Sequence, residues 1–400
     1  MWYGCHSMTV KRGSLVAIAA GIIALATLTP TSEVAQNGGR FVWCIACGDF
    51  GLADFAANVA LFVPLGWALG RAGLKPGTVI AIVVCATIGI ELAQLWFLPG
   101  RVASLSDILA NTTGGVVGLA LPRLLSRLRG STTNAGRATA VYGGLLAVSL
   151  WAGTLVQRIS IPDALQWARQ SPRLPGYTDF TGVLREVRIN GTTLATGEWL
   201  ALSAKDSTAV TLDLVAGVPD QRRAEIIATQ PRTGPAWAWV DQQARDARVH
   251  FASASDWLRL RGQDPVMADA LPATAGESVM VRLVGRHFGY DVVVETKGGT
   301  AVRHASITPG DGWRLFMPFA RTRERLAPLL DALWMAALLA PLSYLATGHS
   351  AVAVGVAGAA AAVYLLLLPL ALGCAWLSLA TWCGAAGGFL IGKVMARWTS

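Results

Sequence analysis

Between Asp54 and Gly118 three apolar segments follow one another, and each carries amide or carboxyl side chains gathered at one end. They read DFAANVALFVPLGWALG, GTVIAIVVCATIGIELAQLWFL and, after PGRVAS, LSDILANTTGGVVGLALPRLL. About 20 apolar residues match the hydrocarbon thickness of a bilayer, and in lipid a helix satisfies its own backbone polar groups, so such blocks leave the chain few options. An ionisable residue inside a spanning helix costs roughly 2.5 to 3.5 kcal/mol on insertion scales. Glu91 and its polar neighbours therefore point to a site rather than to a plain anchor.

The block pattern continues along the chain, in which 53% of 400 residues are hydrophobic and 14% charged. It predicts an α-helical multi-pass bundle of about eight spans: near Ser14 to Thr29, Phe55 to Gly70, Val79 to Leu98, Leu105 to Leu125, Ala138 to Val156, Leu326 to Ala346, Ala351 to Leu372 and Cys374 to Gly392. The last two are divided only by Gly373; their combined length favours a hairpin over one kinked helix.

The net charge of +9 does not indicate nucleic acid, because the basic residues fall where a membrane protein puts them. Lys11 and Arg12 precede the first span, Arg71 and Lys75 follow the second, Arg123, Arg127, Arg129 and Arg137 lie between the fourth and fifth, and Lys393 and Arg397 follow the last. No Asp or Glu shares these stretches, so the positive-inside rule assigns them, with both termini, to the cytoplasm. Arg321, Arg323 and Arg325 fall outside in this scheme, where beside a large translocated domain they weigh little. The first span could instead be a cleaved signal peptide, but LTPTSEVAQ offers no clear small-x-small site.

From about Ser160 to Phe319 the pattern changes to period two, in LREVRI, AVTLDLV, RVHFA, WLRLRG, SVMVRLV and YDVVVETK, with turn signals at Asn190-Gly191, Gly298-Gly299 and Pro309 to Gly312. This predicts an inserted all-β antiparallel sandwich, joined to the fifth span by QSPRLPGY and lying outside the membrane. The domain plan is four spans over 10–130, a fifth span and connector over 131–159, the extracytoplasmic sandwich over 160–319 and three spans over 320–400. Trp199, Trp237, Trp239, Trp257 and Trp313 suit either a sugar-stacking face or, more simply, the core. Two-residue spacing puts Trp237 and Trp239 on one strand face, with one shared fate. His250, His287 and His304 stand apart from other ligand types in sequence and read as surface or packing residues.

Cys85, Cys374 and Cys383 sit in spans as small apolar residues. Cys44 and Cys47 form a C-x-x-C in the first outer loop, where a structural disulfide is the expectation. A redox pair lacks its βαβ context, and zinc lacks two further ligands.

Topology gathers the scattered polar residues. Asp54 and Asn58 lie at the outer end of the second span, Glu91 and Gln94 at that of the third, Asp107 and Asn111 at that of the fourth, and each pair shares a helix face. Arg101, between the third and fourth spans, is the expected countercharge. Pro64 withholds a hydrogen bond from the carbonyl of Ala60 and should kink its helix, and Gly114 with Gly118 forms a small-x-x-x-small ridge for close approach. A purely structural account is also open: Ser104 and Asp107 have capping-box spacing, and Glu91 with Arg101 makes a plausible ion pair.

The strings NVALFVPLGWALG and IELAQLWFLPGRVASLSDILANTTGGVVG resemble the VanZ-like family of bacterial membrane proteins. Asp54, Asn58, Phe62, Pro64, Gly66, Glu91, Gln94, Arg101, Asp107, Asn111 and Gly114 occupy the family pattern, over about residues 10 to 130. Ser104 stands where many members carry another acid, which weakens any scheme needing that carboxylate. The sandwich is similar to the laminin-G or concanavalin-like jelly roll fused to some VanZ-like proteins. The family name implies a link to glycopeptide antibiotic resistance and supplies no biochemical activity.

Three functions compete. One is a non-catalytic cell-envelope protein whose pocket binds a lipid headgroup or lipid-linked cell-wall intermediate, with the sandwich binding glycan or protein. The second is an intramembrane hydrolase or transferase acting on such a headgroup, with Glu91 or Asp107 as general base and Arg101 holding a phosphate. The third, a transporter, lacks internal repeats. No metal-ligand set, activated serine or paired histidine accompanies the acids, so no cofactor is expected.

Overall fold

The computed structural model describes residues 12–29, 41–45, 48–98, 101–129, 132–169, 177–203, 206–317, 326–347 and 351–399. Cys47, the arginines at 321, 323 and 325, and most of the QSPRLPGY linker lie outside them. The chain divides into two compact units, Met1–Ser131 and Thr132–Ser400.

Among its described residues the first unit holds four helices: α1 (Arg12–Leu28), α2 (Gly51–Arg71), α3 (Pro76–Phe97) and α4 (Leu105–Arg129). Pro76 starts α3 at a position where a missing N–H costs nothing. The apolar faces close over Ala19, Ile23, Phe62, Leu65, Leu69, Val79, Val83 and Leu119. Glycine sets how closely α2 and α4 approach. A Cβ on Gly114 would stand 2.2 Å from the Val59 carbonyl oxygen, one on Gly118 2.0 Å from that of Val63, and one on Gly66 2.0 Å from that of Gly115. The expected ridge on α4 is thus matched by a third glycine on α2, and the backbones meet where hydrocarbon gives no hydrophobic drive but rewards close contact. α2 continues through Pro64 as one helical element.

The second unit combines membrane-type helices with a two-sheet sandwich. Its helices are α5 (Thr132–Val156), a short α6 (Ala254–Trp257), α7 (Ala327–Ala346), α8 (Ala351–Leu372) and α9 (Leu379–Thr399). Gly373 takes φ +65 and ends α8, and α9 begins at Leu379, so the last two spans are separate helices. Against α7, α9 repeats the glycine device: Cβ atoms on Gly384, Gly388 and Gly392 would meet the carbonyl oxygens of Ala332, Ala336 and Ala340 at 2.1, 2.6 and 2.2 Å. Among the described residues six helices are long and apolar enough to cross a membrane, and two shorter apolar stretches, Gly13–Leu28 and Ala357–Leu372, stand at the other two expected spans.

Strands are numbered in chain order. One sheet runs β10 (Val266–Met267), β9 (Asp246–Phe251), β8 (Ala238–Gln243), β7 (Arg223–Pro231), β1 (Ala164–Ala168) and β5 (Leu200–Ala201), with β2 (Tyr177–Asp179) parallel to β7. The other runs β13 (Gly299–Ser306), β12 (Gly289–Thr296), β11 (Ser278–Arg286), β6 (Ser207–Val215), β3 (Val183–Ile189) and β4 (Thr192–Thr193), and is antiparallel throughout. Strict alternation on β6 turns Val210, Leu212 and Leu214 into a core shared with Ile226, Val240, Val249, Val281 and Leu283. Asn190 (φ 48) and Gly191 (φ 85) make the tight β3–β4 turn that two successive positive φ values require.

Two readings of the rhythm need correction. WLRLRG is no strand: Ala254–Trp257 is helical and Arg259 sits at φ 52, because Ser253 and Asp256 cap a turn there. β7 escaped detection because six of its nine residues in succession are buried, which erases period two.

The sandwich grows directly out of α5. Ile159 bridges Ser253 and donates to the His287 carbonyl at 3.0 Å, while Gln263 donates to Gln157 at 3.0 Å. On the return, Trp313 in the 3-10 helix Pro309–Leu315 donates to Asp331 of α7 at 2.8 Å.

Candidate functional site

In the first unit the polar residues sort by the ends of the helices that carry them. α4 begins at Ser104, whose hydroxyl accepts the Asp107 N–H at 3.1 Å, the N-cap bond its spacing anticipates. A complete capping box would return the Asp107 carboxylate to the Ser104 N–H. Glu91 of α3 takes that N–H instead, at 2.7 Å. The Asp107 carboxylate is left with a hydrogen bond from the Ser104 side chain, and its Oδ1 accepts from Asn58 Nδ2 of α2 at 2.5 Å. Three helices are thus joined through one carboxylate pair, and Glu91, Asp54 and Arg101 all lie within electrostatic range of Asp107.

One turn deeper, Asn111 donates to Thr87 at 2.8 Å, joining α4 to α3 a second time. Asn111 is 2% exposed, and its Oδ1 is buried with no hydrogen-bond partner. Thr87 lies four residues before Glu91 on the same face of α3, a spacing legible in the sequence.

Gln94 and Arg101 do something else. Gln94 Nε2 donates to the Thr27 carbonyl at 3.0 Å, and Arg101 donates through Nη2 to Ala26 at 2.8 Å and through Nε to Thr29 at 3.1 Å. They satisfy the orphan carbonyls at the end of α1. Among the described residues no ion pair joins Glu91 to Arg101, and the expected countercharge acts on Asp107 only through space.

The loop before α2 is tied in as well. Val42 bridges Ser104, Leu105 donates to the Val42 carbonyl at 3.0 Å, and Ser106 donates to that of Ile45 at 2.7 Å. Cys44, between them, is disulfide-bonded; Cys47 lies outside the described residues.

These contacts span one stretch of chain, and residues 7–126 match the family model described as VanZ/LLP1. This segment is similar to the VanZ-like family. No curated protein and no solved structure matches the chain. The VanZ-like domain therefore contains every residue of the polar cluster and ends short of the sandwich.

The sandwich carries its own charged cluster, which overturns one expectation. His250 is not isolated: its Nδ1 bonds Asp264, its Nε2 lies 3.3 Å from Asp256 Oδ2, and Trp239 stacks on the ring at 3.7 Å and 15°. Burial opposes its charge, but the two carboxylates outweigh burial and raise its pKa to about 10. His304 likewise bonds Asp291. These pairs are distant in sequence or cross-strand, and no local spacing announces them.

The tryptophans part company. Trp237 is in the core, donating to the Ser160 carbonyl at 2.6 Å, while Trp239 is half-buried on His250. They do not share a fate because Trp237 precedes β8 and falls out of its alternation. Trp313 is buried, Trp199 lies under Arg232, and Trp257 is exposed. Among the described residues no three His, Cys, Asp or Glu side chains are grouped to hold a metal ion.

Proposed function

We propose that the VanZ-like domain is the headgroup-binding part of a cell-envelope membrane protein, with its polar cluster in the outer leaflet and the sandwich outside the membrane. The observation that carries this reading is that Glu91 of α3, and not Asp107, takes the Ser104 N–H, while Asp107 reaches Asn58 of α2. A helix that needed only a cap would have kept its own carboxylate. The orientation is supported by the opposite ends of the same helices, where Arg71, Lys75, Arg123 and Arg127 are gathered without an acid. The ligand is a lipid headgroup or lipid-linked cell-wall intermediate, and the sandwich engages glycan or a protein partner. A part in glycopeptide resistance would follow from sequestering such an intermediate.

Glu91 and Asp107, two carboxyl groups near enough to feel each other, also support an intramembrane hydrolase or transferase, since such pairs divide acid and base roles. Arg101 supports it poorly, because two of its nitrogens are already committed to α1.

Purified protein in nanodiscs, offered a panel of lipid-linked headgroups, tests both by following retention and turnover. Glu91→Gln and Asp107→Asn should each lower retention about tenfold at unchanged folding. Unchanged retention in both would end the binding reading. Turnover abolished by either variant would favour the enzyme.

A further inference from the structure

We infer that the turn at 254–259 of the sandwich is a membrane-docking element, which seats the Trp257 and Leu258 side chains in the interfacial layer of the bilayer beside the end of α5. Trp257 is 76% and Leu258 45% exposed, and they are neighbours on one turn. The other exposed large apolar side chains described in the sandwich, Val183, Trp199, Val218 and Val302, stand singly along the chain, which is ordinary for a surface in water.

The side of the turn that faces the sandwich is already in use. Ser255 and Leu260 are buried, the Ser253 N–H donates to Asp256 Oδ2 at 3.0 Å, and the same carboxylate faces His250. Ala254, Trp257, Leu258 and Arg259 are the exposed residues of the turn, so its apolar pair is presented away from the domain's own core.

Contacts within this unit fix the level of the turn. Just before it Ser253 bridges Ile159; just after it Arg261 donates to the Leu315 carbonyl at 3.0 Å and Gln263 to Gln157 at 3.0 Å. Leu315 reaches α5 as well, since a Cβ on Gly153 would stand 3.9 Å from its Cδ1. The stretch of α5 long and apolar enough to cross a membrane ends at Val156. From Gly153 to Gln157 the chain climbs about 6 Å, and the interfacial layer on each side of the hydrocarbon is roughly 5 to 8 Å deep. A turn tied at this level meets the layer where tryptophan is enriched, because its ring is apolar while its N–H finds polar partners there. Arg158 and Arg259, both exposed, border the pair and can lay their stems along apolar surface while their guanidinium groups reach lipid phosphates. Seating of the turn depends neither on a headgroup bound in the VanZ-like domain nor on which side of the membrane the sandwich lies.

Lys297 supplies the comparison position. It lies on the turn after β12, whose eight residues carry it about 26 Å from the end of the sandwich where the His287 carbonyl meets Ile159. Full-length protein carrying the photoreactive residue p-benzoylphenylalanine at position 257 or at position 297 is reconstituted in phosphatidylglycerol nanodiscs and irradiated, and adducts are read by mass spectrometry of protease fragments. Both positions are exposed, and melts of the β-type circular dichroism signal check that both proteins fold. Position 257 should yield lipid adducts about tenfold or more above position 297, which stands well beyond the interfacial layer. No lipid adduct at 257, or equal yields at the two positions, overturns the docking. Adducts to a second copy of the chain in place of lipid overturn it too, and assign the pair to self-association.

Discussion

The buried imidazolium of His250 should make the stability of the sandwich depend on pH in a range where few other groups titrate. The ring is 6% exposed, sandwiched in charge between Asp256 and Asp264, and its pKa stands at about 10 in the folded chain. An unfolded histidine titrates near 6.5. A group whose pKa is raised on folding contributes fully below its unfolded value and loses that contribution as pH climbs through its folded value. The stabilisation is therefore complete below pH 6.5, fades between 6.5 and about 10, and is gone above. At about 1.4 kcal/mol per pH unit the gap amounts to about 5 kcal/mol. His250→Gln removes the cation and leaves two carboxylates facing each other, a loss of about 3 to 5 kcal/mol near neutral pH. For a domain of this size that lowers the melting temperature by about 10 °C. Asp241, raised by burial to about 6, titrates below this window and does not interfere. Thermal melts of the full chain in detergent, followed by the β-type circular dichroism signal, read the effect. Wild-type protein should lose melting temperature steadily from pH 6.5 to 10, and the variant should start lower and stay flat. A flat wild-type profile, or an equal slope in the variant, would refute the reasoning.

Other outcomes follow from particular contacts. Gly118→Ala drives a methyl toward the Val63 carbonyl at 2.0 Å and should cost about 1 to 3 kcal/mol, seen as a lower melting temperature and a smaller monodisperse fraction in detergent; unchanged stability would mean that α2 and α4 are not so close. Trp237→Ala should destabilise the sandwich by about 3 to 5 kcal/mol and Trp239→Ala by clearly less, measured by the same melts. Lys297→Cys, on an exposed β-turn, should react with a membrane-impermeant reagent on intact spheroplasts; reaction only after lysis would reverse the proposed topology and move the polar cluster to the inner leaflet.

Hydropathy alone located the membrane helices, because a bilayer demands runs of a fixed apolar length whatever they pack against. Period two located most of the sandwich, because one sheet face meets a core and the other does not. It failed at β7, buried on both faces, and at WLRLRG, where a Ser253–Asp256 cap overrides alternation. The seam between Gly384, Gly388, Gly392 and α7 was also legible as a repeated small-x-x-x pattern, though only packing shows what it meets.

Helix ends and spacing in the sequence place Asp54, Asn58, Glu91, Asp107 and Asn111 toward the same ends of their helices, and in the structure Asn58 bonds Asp107 while Asn111, one turn deeper, bonds Thr87. What each side chain does was not readable from the sequence. The sequence separations of 13 from Glu91 to Ser104, and of 49 from Asn58 to Asp107, are distances over which no local pattern carries information. Each of these donors has several acceptors within the reach of its side chain, and only the folded arrangement decides which one takes it. That is why Glu91 capping α4, Arg101 turning to α1, and two aspartates closing on His250 became visible only in three dimensions.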